Sequence, residues 1–464
     1  MELHGKKVLV VGLGRTGVAS ARFLSRHGAR LRISEKRPAG EAGAERKALG
    51  NLPAEVEWEW GGHTPRFFEE GDLIVVSPGV PMDLEPLAHA RSKGIPVISE
   101  MELAFEFLRR PIIGITGTNG KTTTTTLIGE MLRAGGREVF VGGNIGNPLI
   151  AYVDGPQEEE WIVVEISSFQ LEGIVNFRPR IGVLLNITED HLDRYAHFQE
   201  YIQAKGKIFQ NQGKEDYALL NADDPLAFQF AHRVKSQVLL FSSQREVPVG
   251  CFLGRGAIVF QGGDGGKERF GLERLKIRGI HNWENLMAAV AVAKICGCPS
   301  EPLQKVMEEF PGLEHRLERV GDIDGVRFFN DSKGTNVGSV VKSLMSFREP
   351  IWLIAGGKDK GGDYSPLKEI INQRVKGMVL IGEARAKMCA ALGKLTETVQ
   401  ADTLEEAVHW AASKASPGEV VLLSPACSSF DMFENYQERG RRFKAIVREL
   451  SLRTREGRPL AHGR

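Results

Sequence analysis

Short runs of apolar and β-branched residues alternate with longer amphipathic stretches along most of the chain. Each run has the length of a buried strand, and each amphipathic stretch has the length of a helix that covers a sheet. This alternation is typical of βαβ units, whose parallel sheets carry helices on both faces. It predicts the α/β fold class, with strands at residues 7–11, 31–34, 73–77, 96–99, 112–116, 161–166, 181–186, 326–330, 351–355, 378–381 and 420–424.

Breaks in this alternation divide the chain into three parts. The charged and proline-containing stretch 109–111 ends a helical segment, and Phe310-Pro311-Gly312 gives the strongest turn signal after it. A length of 464 residues also suggests about three domains of ~150 residues each. We predict a Rossmann-like domain over residues 1–110, a central P-loop mononucleotide-binding domain with a parallel sheet over 111–311, and a Rossmann-like α/β domain over 312–464.

Composition and charge narrow the class of protein. With 42% hydrophobic and 26% charged residues, the chain differs from disordered and from membrane-spanning proteins. The net charge of +1 gives no support for nucleic acid or a membrane surface as partner. The five cysteines include no C-x-x-C pair, and the first apolar run, Val8 to Val11, is too short for a signal sequence. We therefore expect a cytoplasmic protein. As a separate expectation, we take it to be a monomer.

The first candidate for chemistry is the turn Gly12-Leu13-Gly14-Arg15-Thr16-Gly17, which follows a predicted strand and opens a predicted helix. Glycines at this spacing allow a tight turn, and the free N–H groups of a helix N-terminus bind a diphosphate. Glu35 ends the next strand, where a carboxylate accepts hydrogen bonds from a ribose or a base. Lys36 and Arg37 would suit an additional phosphate, so an NADP-dependent oxidoreductase stays open as an alternative from another class.

The second candidate is Gly117-Thr118-Asn119-Gly120-Lys121-Thr122, between the strand 112–116 and a helix over 123–132. This arrangement is typical of a phosphate-binding loop. Its backbone N–H groups cradle phosphate oxygens, Lys121 neutralises the β- and γ-phosphates, and the Thr122 hydroxyl ligates Mg²⁺. Ile115 stands where the strict motif has its first glycine. Glu165 ends a strand as well, at the edge where a carboxylate can reach a metal beside such a loop.

The motif TGTNGKT at 116–122 resembles the ATP loop of the Mur ligases and of folylpolyglutamate synthetase. Further strings resemble the branch of the Mur ligase family that adds D-glutamate to UDP-N-acetylmuramoyl-L-alanine. They lie in the family's order and cover all three predicted domains: GGNIG at 142–146, EISSFQ at 165–170, DHLDRY at 190–195, GLEHR at 312–316, NDSKGTN at 330–336 and SPACSS at 424–429.

The resemblance implies an ATP-dependent ligase that works through an acyl phosphate, with two Mg²⁺ ions as cofactors. Thr122 and Glu165 would ligate one ion, while His191 and a carbamylated Lys205 would ligate the other. Lys121 and Lys333 would complete the catalytic set by offsetting charge on the transferred phosphoryl group. The residues implied in ATP binding are Gly117, Thr118, Asn119, Gly120, Lys121, Thr122, Thr123, Asn282, Asn285, Arg316 and Asp331.

The resemblance also implies where the other two small molecules bind. The incoming D-glutamate would contact Thr335, Lys360, Ser429, Phe430 and Tyr436. Phe430 replaces an aliphatic residue of the family pattern, and Tyr436 replaces a phenylalanine, although both changes keep bulk. The UDP-linked acceptor would contact Gly14, Arg15, Thr16, Glu35, Lys36, Ser77, Pro78, Gly79, Asn144 and His191.

Several alternatives stay open from the sequence. One alternative is a sister Mur ligase, which would add L-alanine, a diamino acid or a dipeptide. Folylpolyglutamate synthetase is a less favoured alternative, because it has no comparable first domain for a uridine substrate. The NADP-dependent oxidoreductase leaves the loop Gly117 to Thr122 without a role. A P-loop binding module would bind ATP without turning over an acceptor.

Overall fold

The computed structural model describes residues 1–50, 52, 55–191, 194–277 and 279–455, and it confirms the α/β class with three sheets. Contacts divide the chain into two compact units. Unit 1 comprises Met1–Ile187, Gln199–Leu272 and Asn285–Met307. Unit 2 comprises Thr188–Phe198, Glu273–Glu284 and the chain from Glu308 onward. The domain boundaries drawn from the sequence stay a prediction.

The first sheet has five parallel strands in the order β3-β2-β1-β4-β5. Buried apolar residues of β1 and β4 pack against Phe68 and Leu87 from the covering helices. The elements are β1 Lys7–Val11, α1 Arg15–Arg26, β2 Arg30–Glu35, α2 Gly43–Leu49, β3 Glu57–Trp60, α3 Pro65–Phe68, β4 Leu73–Val76, α4 Glu85–Ser92, β5 Val97–Ser99 and α5 Glu100–Phe107.

The central sheet has nine strands in the order β14-β13-β12-β11-β10-β9-β6-β8-β7. The elements are β6 Ile112–Thr116, α6 Lys121–Ala134, β7 Val139–Gly143, α7 Leu149–Val153, β8 Trp161–Glu165, α8 Ser168–Glu172, β9 Ile181–Leu184, α9 Phe198–Gly206, β10 Tyr217–Asn221, α10 Pro225–Phe228, β11 Gln237–Ser242, β12 Gly250–Gly254, β13 Ala257–Gln261, β14 Lys267–Gly271, α11 Ile280–Ile295 and α12 Ser300–Glu309, with 3₁₀ turns at Lys207–Phe209 and Gln229–His232.

The central sheet is mixed, which corrects the prediction of a parallel sheet. Strands β12, β13 and β14 pair antiparallel, because they are joined by short turns that cannot cross over a sheet face. Helix α9, which carries Lys205, is short. It ends at Gly206, and a 3₁₀ turn follows.

The third sheet has six strands in the order β15-β16-β20-β17-β18-β19; β15 and β16 pair antiparallel, and the other neighbouring strands pair parallel. Alternate residues of β17 enter two separate apolar clusters, so both faces of the sheet are covered. The elements are β15 Glu318–Ile323, β16 Val326–Asn330, α13 Val337–Met345, β17 Ile351–Gly356, a 3₁₀ turn Ser365–Leu367, α14 Lys368–Arg374, β18 Val375–Ile381, α15 Arg385–Leu392, β19 Glu397–Gln400, α16 Leu404–Lys414, β20 Val420–Leu423 and α17 Tyr436–Arg455.

Among the described residues, no helix combines the length and the apolar character that crossing a membrane requires.

Candidate active site

The glycine-rich turn after β1 needs its first and last glycines. Gly12 has φ +84°, a conformation that residues with a side chain rarely adopt. A Cβ on Gly17 would lie 2.0 Å from the carbonyl oxygen of Gly12, so the helix N-terminus approaches the strand closely. The hydroxyl of buried Ser77 donates to the same carbonyl at 2.8 Å. The turn is therefore built for close packing, as a nucleotide-binding turn requires.

The Glu35 carboxylate is hydrogen-bonded to this turn. It accepts from the Leu13 N–H at 2.6 Å and from the Arg37 side chain at 2.9 Å. Burial raises the pKa of Glu35, but the hydrogen bonds from Arg37 and Leu13 outweigh burial and hold this pKa below its usual value. Arg37 also donates to Glu45, so its charge is matched within the protein. Of the two basic residues that suggested an additional phosphate, Arg37 is thus engaged within the protein, whereas Lys36 is exposed.

The other residues predicted to contact the UDP-linked acceptor differ in exposure. Gly14, Arg15, Lys36 and Gly79 are exposed, and Thr16 and Pro78 are half-buried. Ser77 is buried, and its hydroxyl is used by the turn.

The phosphate loop joins β6 to α6 and is fixed largely through backbone groups. Gly120 has φ +86° and caps the helix in the left-handed conformation. The carbonyl oxygen of Asn186, just after β9, accepts from the Thr118 N–H at 2.9 Å. The Asn186 side chain exchanges two hydrogen bonds with the backbone of Asn119, at 2.9 and 3.0 Å. These contacts determine the loop's path, and they place Thr122 and Thr123 in the first turn of α6.

Two lysines meet at one carbonyl oxygen of this loop. Lys121 Nζ donates to the carbonyl oxygens of Gly117 and Thr118, both at 2.9 Å. Lys205 Nζ, from α9, donates to Gly117 at 2.8 Å and lies 4.4 Å from the centre of the Tyr201 ring. Lys205 is only 1% exposed, whereas lysines on a protein surface are mostly exposed. The structure thus places Lys205 beside the phosphate loop.

Asn285, one of the predicted ATP-binding residues, packs against the loop. A Cβ on Gly120 would lie 2.3 Å from the Asn285 side-chain oxygen. That oxygen accepts from the Thr124 hydroxyl at 3.2 Å. Asn285 is buried, so part of its role is to support the loop.

Glu165, at the end of β8, has the features of a metal ligand. Its Oε1 accepts from the Asn144 side chain at 2.9 Å, and the Asn144 N–H donates to the Glu165 carbonyl oxygen at 2.9 Å. Its Oε2 is buried without a hydrogen-bond partner among the described residues. Because a buried carboxylate oxygen is costly to leave unpaired, the donor set fits a hard cation such as Mg²⁺.

Unit 2 contains a cavity of about 1000 Å³, here called the amino-acid cavity. Four stretches of chain form its wall, and seven of the predicted site residues lie in it. The lining residues are His191, Lys333, Thr335, Lys358, Asp359, Lys360, Gly361, Ser428, Ser429, Phe430, Asn435, Tyr436 and Gln437.

Two lysines of this cavity, Lys333 and Lys360, contact side chains of the protein. Lys360 Nζ lies 3.4 Å from the Asp190 carboxylate, whose other oxygen accepts from Asn336 at 3.1 Å. Lys333 Nζ lies 3.9 Å from the centre of the Tyr436 ring, a cation–π distance. The neighbouring His191 has φ +56°, and its side chain is 38% exposed. The cavity therefore presents cations together with hydroxyl groups, a lining that suits a small acid with two carboxylates.

A second cavity in unit 2, of about 530 Å³, is lined by Asn282 and Arg316 among others. Asp331 is buried and contacts Leu317, one of the lining residues. The Asp331 carboxylate accepts from Ser343 and Ser424, both at 2.7 Å, and from the Leu317 N–H at 3.3 Å. Burial raises the pKa of Asp331 to about 6, although these hydrogen bonds oppose the rise. Asp331 is thus engaged within the protein, and its predicted contact with ATP stays a prediction.

Some residues with clear roles in these sites were not predicted from the sequence. Asn186 and Tyr201 contact the phosphate loop, Asp190 pairs with Lys360, and Lys358 lines the amino-acid cavity. Asp190 stands next to His191 in the DHLDRY string, a signal that was available. Tyr201 and Asn186 carried no local pattern that separates them from core residues.

Family models match the chain in three successive segments. They describe a Mur ligase MurD-like N-terminal domain at residues 6–99, a Mur ligase middle domain at 115–293, and a Mur ligase glutamate ligase domain at 315–427.

Curated relatives match over nearly the whole length. The UDP-N-acetylmuramoylalanine–D-glutamate ligase of Geotalea uraniireducens is 53% identical, over 97% of this chain and 99% of that protein. The ligase of the same name from Koribacter versatilis is 47% identical, over 97% and 99%.

Solved structures share the fold at lower identity. A MurF ligase from Thermotoga maritima in complex with ADP has a TM-score of 0.60 and 16% identity, covering 98% of this chain and 96% of that one. A pseudomurein peptide ligase type C from Methanothermus fervidus has a TM-score of 0.61 and 19% identity, covering 96% and 100%. From these full-length matches, the chain belongs to the Mur ligase family, in its UDP-N-acetylmuramoylalanine–D-glutamate ligase branch.

Proposed function

We propose that this protein joins D-glutamate to UDP-N-acetylmuramoyl-L-alanine at the expense of ATP, in peptidoglycan precursor synthesis. ATP use and amide formation follow from its place in the Mur ligase family. The observation that carries the choice of amino acid is the amino-acid cavity, where Lys333, Lys360, Thr335 and Ser429 line one space. A small amino acid with two carboxylates matches this lining better than an uncharged one.

The chemistry that this family membership implies begins with transfer of the γ-phosphoryl group of ATP to the alanyl carboxylate. The product is an acyl phosphate, and the amine of D-glutamate then attacks its carbonyl carbon. Phosphate leaves with the electrons of the acyl–oxygen bond, and an amide remains. Catalysis of this kind depends on positioning and on charge stabilisation, so no nucleophilic side chain is needed.

The residues of the phosphate loop suit the first step. The N–H groups at the start of α6 can hold the β- and γ-phosphates, and Lys121 can follow the negative charge as it moves. Gly120 allows the backbone to turn toward the phosphates at a φ of +86°. Asn144, which donates to Glu165, would orient the acceptor.

Thr122 and Glu165 would hold one Mg²⁺, which supplies charge neutralisation on the phosphate oxygens when bound. The argument for Mg²⁺ at this position is that Oε2 of Glu165 is buried without a hydrogen-bond partner among the described residues. A second Mg²⁺ at His191 and carbamylated Lys205 stays a prediction. So do the monomeric state and the cytoplasmic location.

The test is phosphate release from ATP and Mg²⁺ in the presence of UDP-N-acetylmuramoyl-L-alanine. D-glutamate, L-glutamate, glycine, L-alanine and a diamino acid are offered in separate reactions. We expect release with D-glutamate alone. Release with another amino acid would identify a sister ligase, whereas ATP binding without any release would support a binding module. A tight complex with NADPH would revive the oxidoreductase alternative.

A further inference from the structure

Lys358 lies in the wall of the amino-acid cavity, although no motif assigned it a role. It follows β17 and the pair Gly356-Gly357. Its backbone N–H donates to the Ser428 carbonyl oxygen at 3.0 Å. The residue therefore lies across from Ser428 and next to Ser429, which also lines the cavity.

The two glycines make this approach possible. A Cβ on Gly357 would lie 2.3 Å from the Ser428 carbonyl oxygen, and one on Gly356 would lie 2.1 Å from the Ile381 carbonyl oxygen. Both glycines also have positive φ, +110° at Gly356 and +135° at Gly357. The chain thus brings the Lys358 backbone against the serine loop at a position where larger residues would prevent it.

The charges around Lys358 are matched elsewhere. Asp359 accepts from Lys387 at 2.8 Å and from the Tyr364 hydroxyl at 2.9 Å. Burial raises the pKa of Asp359, but the bonds from Lys387 and Tyr364 outweigh burial and lower this pKa overall, so Asp359 stays anionic and bound to Lys387. Lys360 lies beside Asp190.

The Lys358 side chain, by contrast, is exposed and has no ion pair or side-chain hydrogen bond within the described part of the chain. A cation with a fixed backbone and no carboxylate partner lines a cavity that already contains two other lysines. A second carboxylate on the incoming molecule would supply the missing partner.

We propose that Lys358 is a specificity-determining residue that binds the side-chain carboxylate of the incoming amino acid. This inference rests on the proposed function, because it takes a dicarboxylic amino acid as the substrate. Lys358 recognises the substrate and takes no part in phosphoryl transfer.

The experiment compares the full-length Lys358→Met, Lys358→Arg and Lys358→Glu variants with the parent enzyme. Lys394→Met is the matched control, since Lys394 is an exposed lysine of the same unit outside the cavity. We expect Lys358→Met to raise the KM for D-glutamate about three- to tenfold, the effect of one partly exposed ion pair, with kcat within about twofold. Lys358→Arg should restore most of the affinity, and Lys358→Glu should lose the most.

Two further readouts separate recognition from a structural effect. The KM for ATP should stay unchanged in all three variants, and added salt should raise the KM for D-glutamate less in Lys358→Met than in the parent. Equal KM values for D-glutamate in Lys358→Met and Lys394→Met would overturn the inference, as would an equal rise in the KM for ATP. Failure of the parent to turn over D-glutamate would instead contradict the proposed function itself.

Discussion

The phosphate loop of unit 1 and the amino-acid cavity of unit 2 both gather positive charge, but they hold it differently. At the loop, its own Lys121 and Lys205 from α9 both donate to the Gly117 carbonyl oxygen. In the cavity, Lys360 lies beside a carboxylate and Lys333 lies over an aromatic ring. The loop is one continuous stretch, whereas the cavity wall comes from four separate stretches. A site fixed by backbone geometry tolerates few residue types, and one fixed by side chains can change its selectivity through single substitutions.

The largest expected effect concerns the lysine of the loop. Lys121→Met keeps the length of the side chain but removes the charge that we propose to stabilise the transferred phosphoryl group. We expect kcat/KM to fall about 10²- to 10³-fold, the size of effect seen when a preorganised charge-stabilising donor is removed. Phosphate-release kinetics measure it, with folding checked by circular dichroism. A fall below tenfold would place the decisive charge elsewhere.

The next prediction concerns the pH dependence of stability in unit 2, outside both regions. Asp331 has a pKa of about 6 in the folded protein, against an ordinary value of 3.8. Its protonated form is favoured by folding, so its stabilising contribution is complete below pH 3.8 and is lost as the pH rises through about 6. Asp331→Asn should therefore become more stable relative to the parent as the pH rises, by about 2–3 kcal/mol in total.

Urea unfolding between pH 4 and pH 8 measures this difference. Asp402→Asn is the control, because its side chain is 80% exposed. Parallel curves for Asp331→Asn and the parent would show that Asp331 does not titrate in this range.

A third prediction tests whether the loop depends on its glycine. Gly120→Ala combines a φ of +86° with a Cβ only 2.3 Å from Asn285. Gly136→Ala is a matched control, since Gly136 has φ +83° and open space around its Cβ position. We expect Gly120→Ala to lower the free energy of unfolding by about 1–2 kcal/mol more than the control, and to impair ATP use as well. Equal losses would mean that the steric contact is relieved without cost.

The smallest effect is expected in the cavity. Lys360→Met removes one of its cations, so the KM for D-glutamate should rise about tenfold while the KM for ATP stays constant. Lys360→Arg keeps the charge and should recover part of the affinity. If the KM for ATP changed instead, the assignment of this cavity to the amino acid would be wrong.

The sequence predicted those strands that a local pattern marks, and it missed strands whose pattern is short or whose pairing depends on turns. Buried parallel strands such as Ile112–Thr116 and Ile351–Gly356 were recognisable, because uninterrupted apolar runs bounded by turns mark them. The edge strand Glu57–Trp60 was missed, since its alternation of glutamate and tryptophan is short. The antiparallel strands from Gly250 to Gly271 were missed because their pairing depends on turns between neighbours.

The site residues also divide into those that a local motif marks and those that depend on distant contacts. Gly120 and Lys121 belong to a short motif with a mechanical reason for each residue. Asn186, which binds Asn119, and Lys358, which lies across from Ser428, depend on contacts between distant parts of the chain. No spacing rule brings such pairs together, so the sequence alone does not identify them.

The shared carbonyl oxygen of Gly117 has a further consequence for ion binding. When Lys205 is not carbamylated, both ammonium groups lie within hydrogen-bond distance of one atom and so within about 6 Å of each other, where two like charges repel by about 3 kcal/mol at an effective dielectric constant of 20. An anion between them reduces this repulsion, so part of its affinity comes from relief of an unfavourable interaction already present in the fold. Inorganic phosphate or sulfate alone should therefore raise the unfolding temperature, and more strongly at low ionic strength than at high.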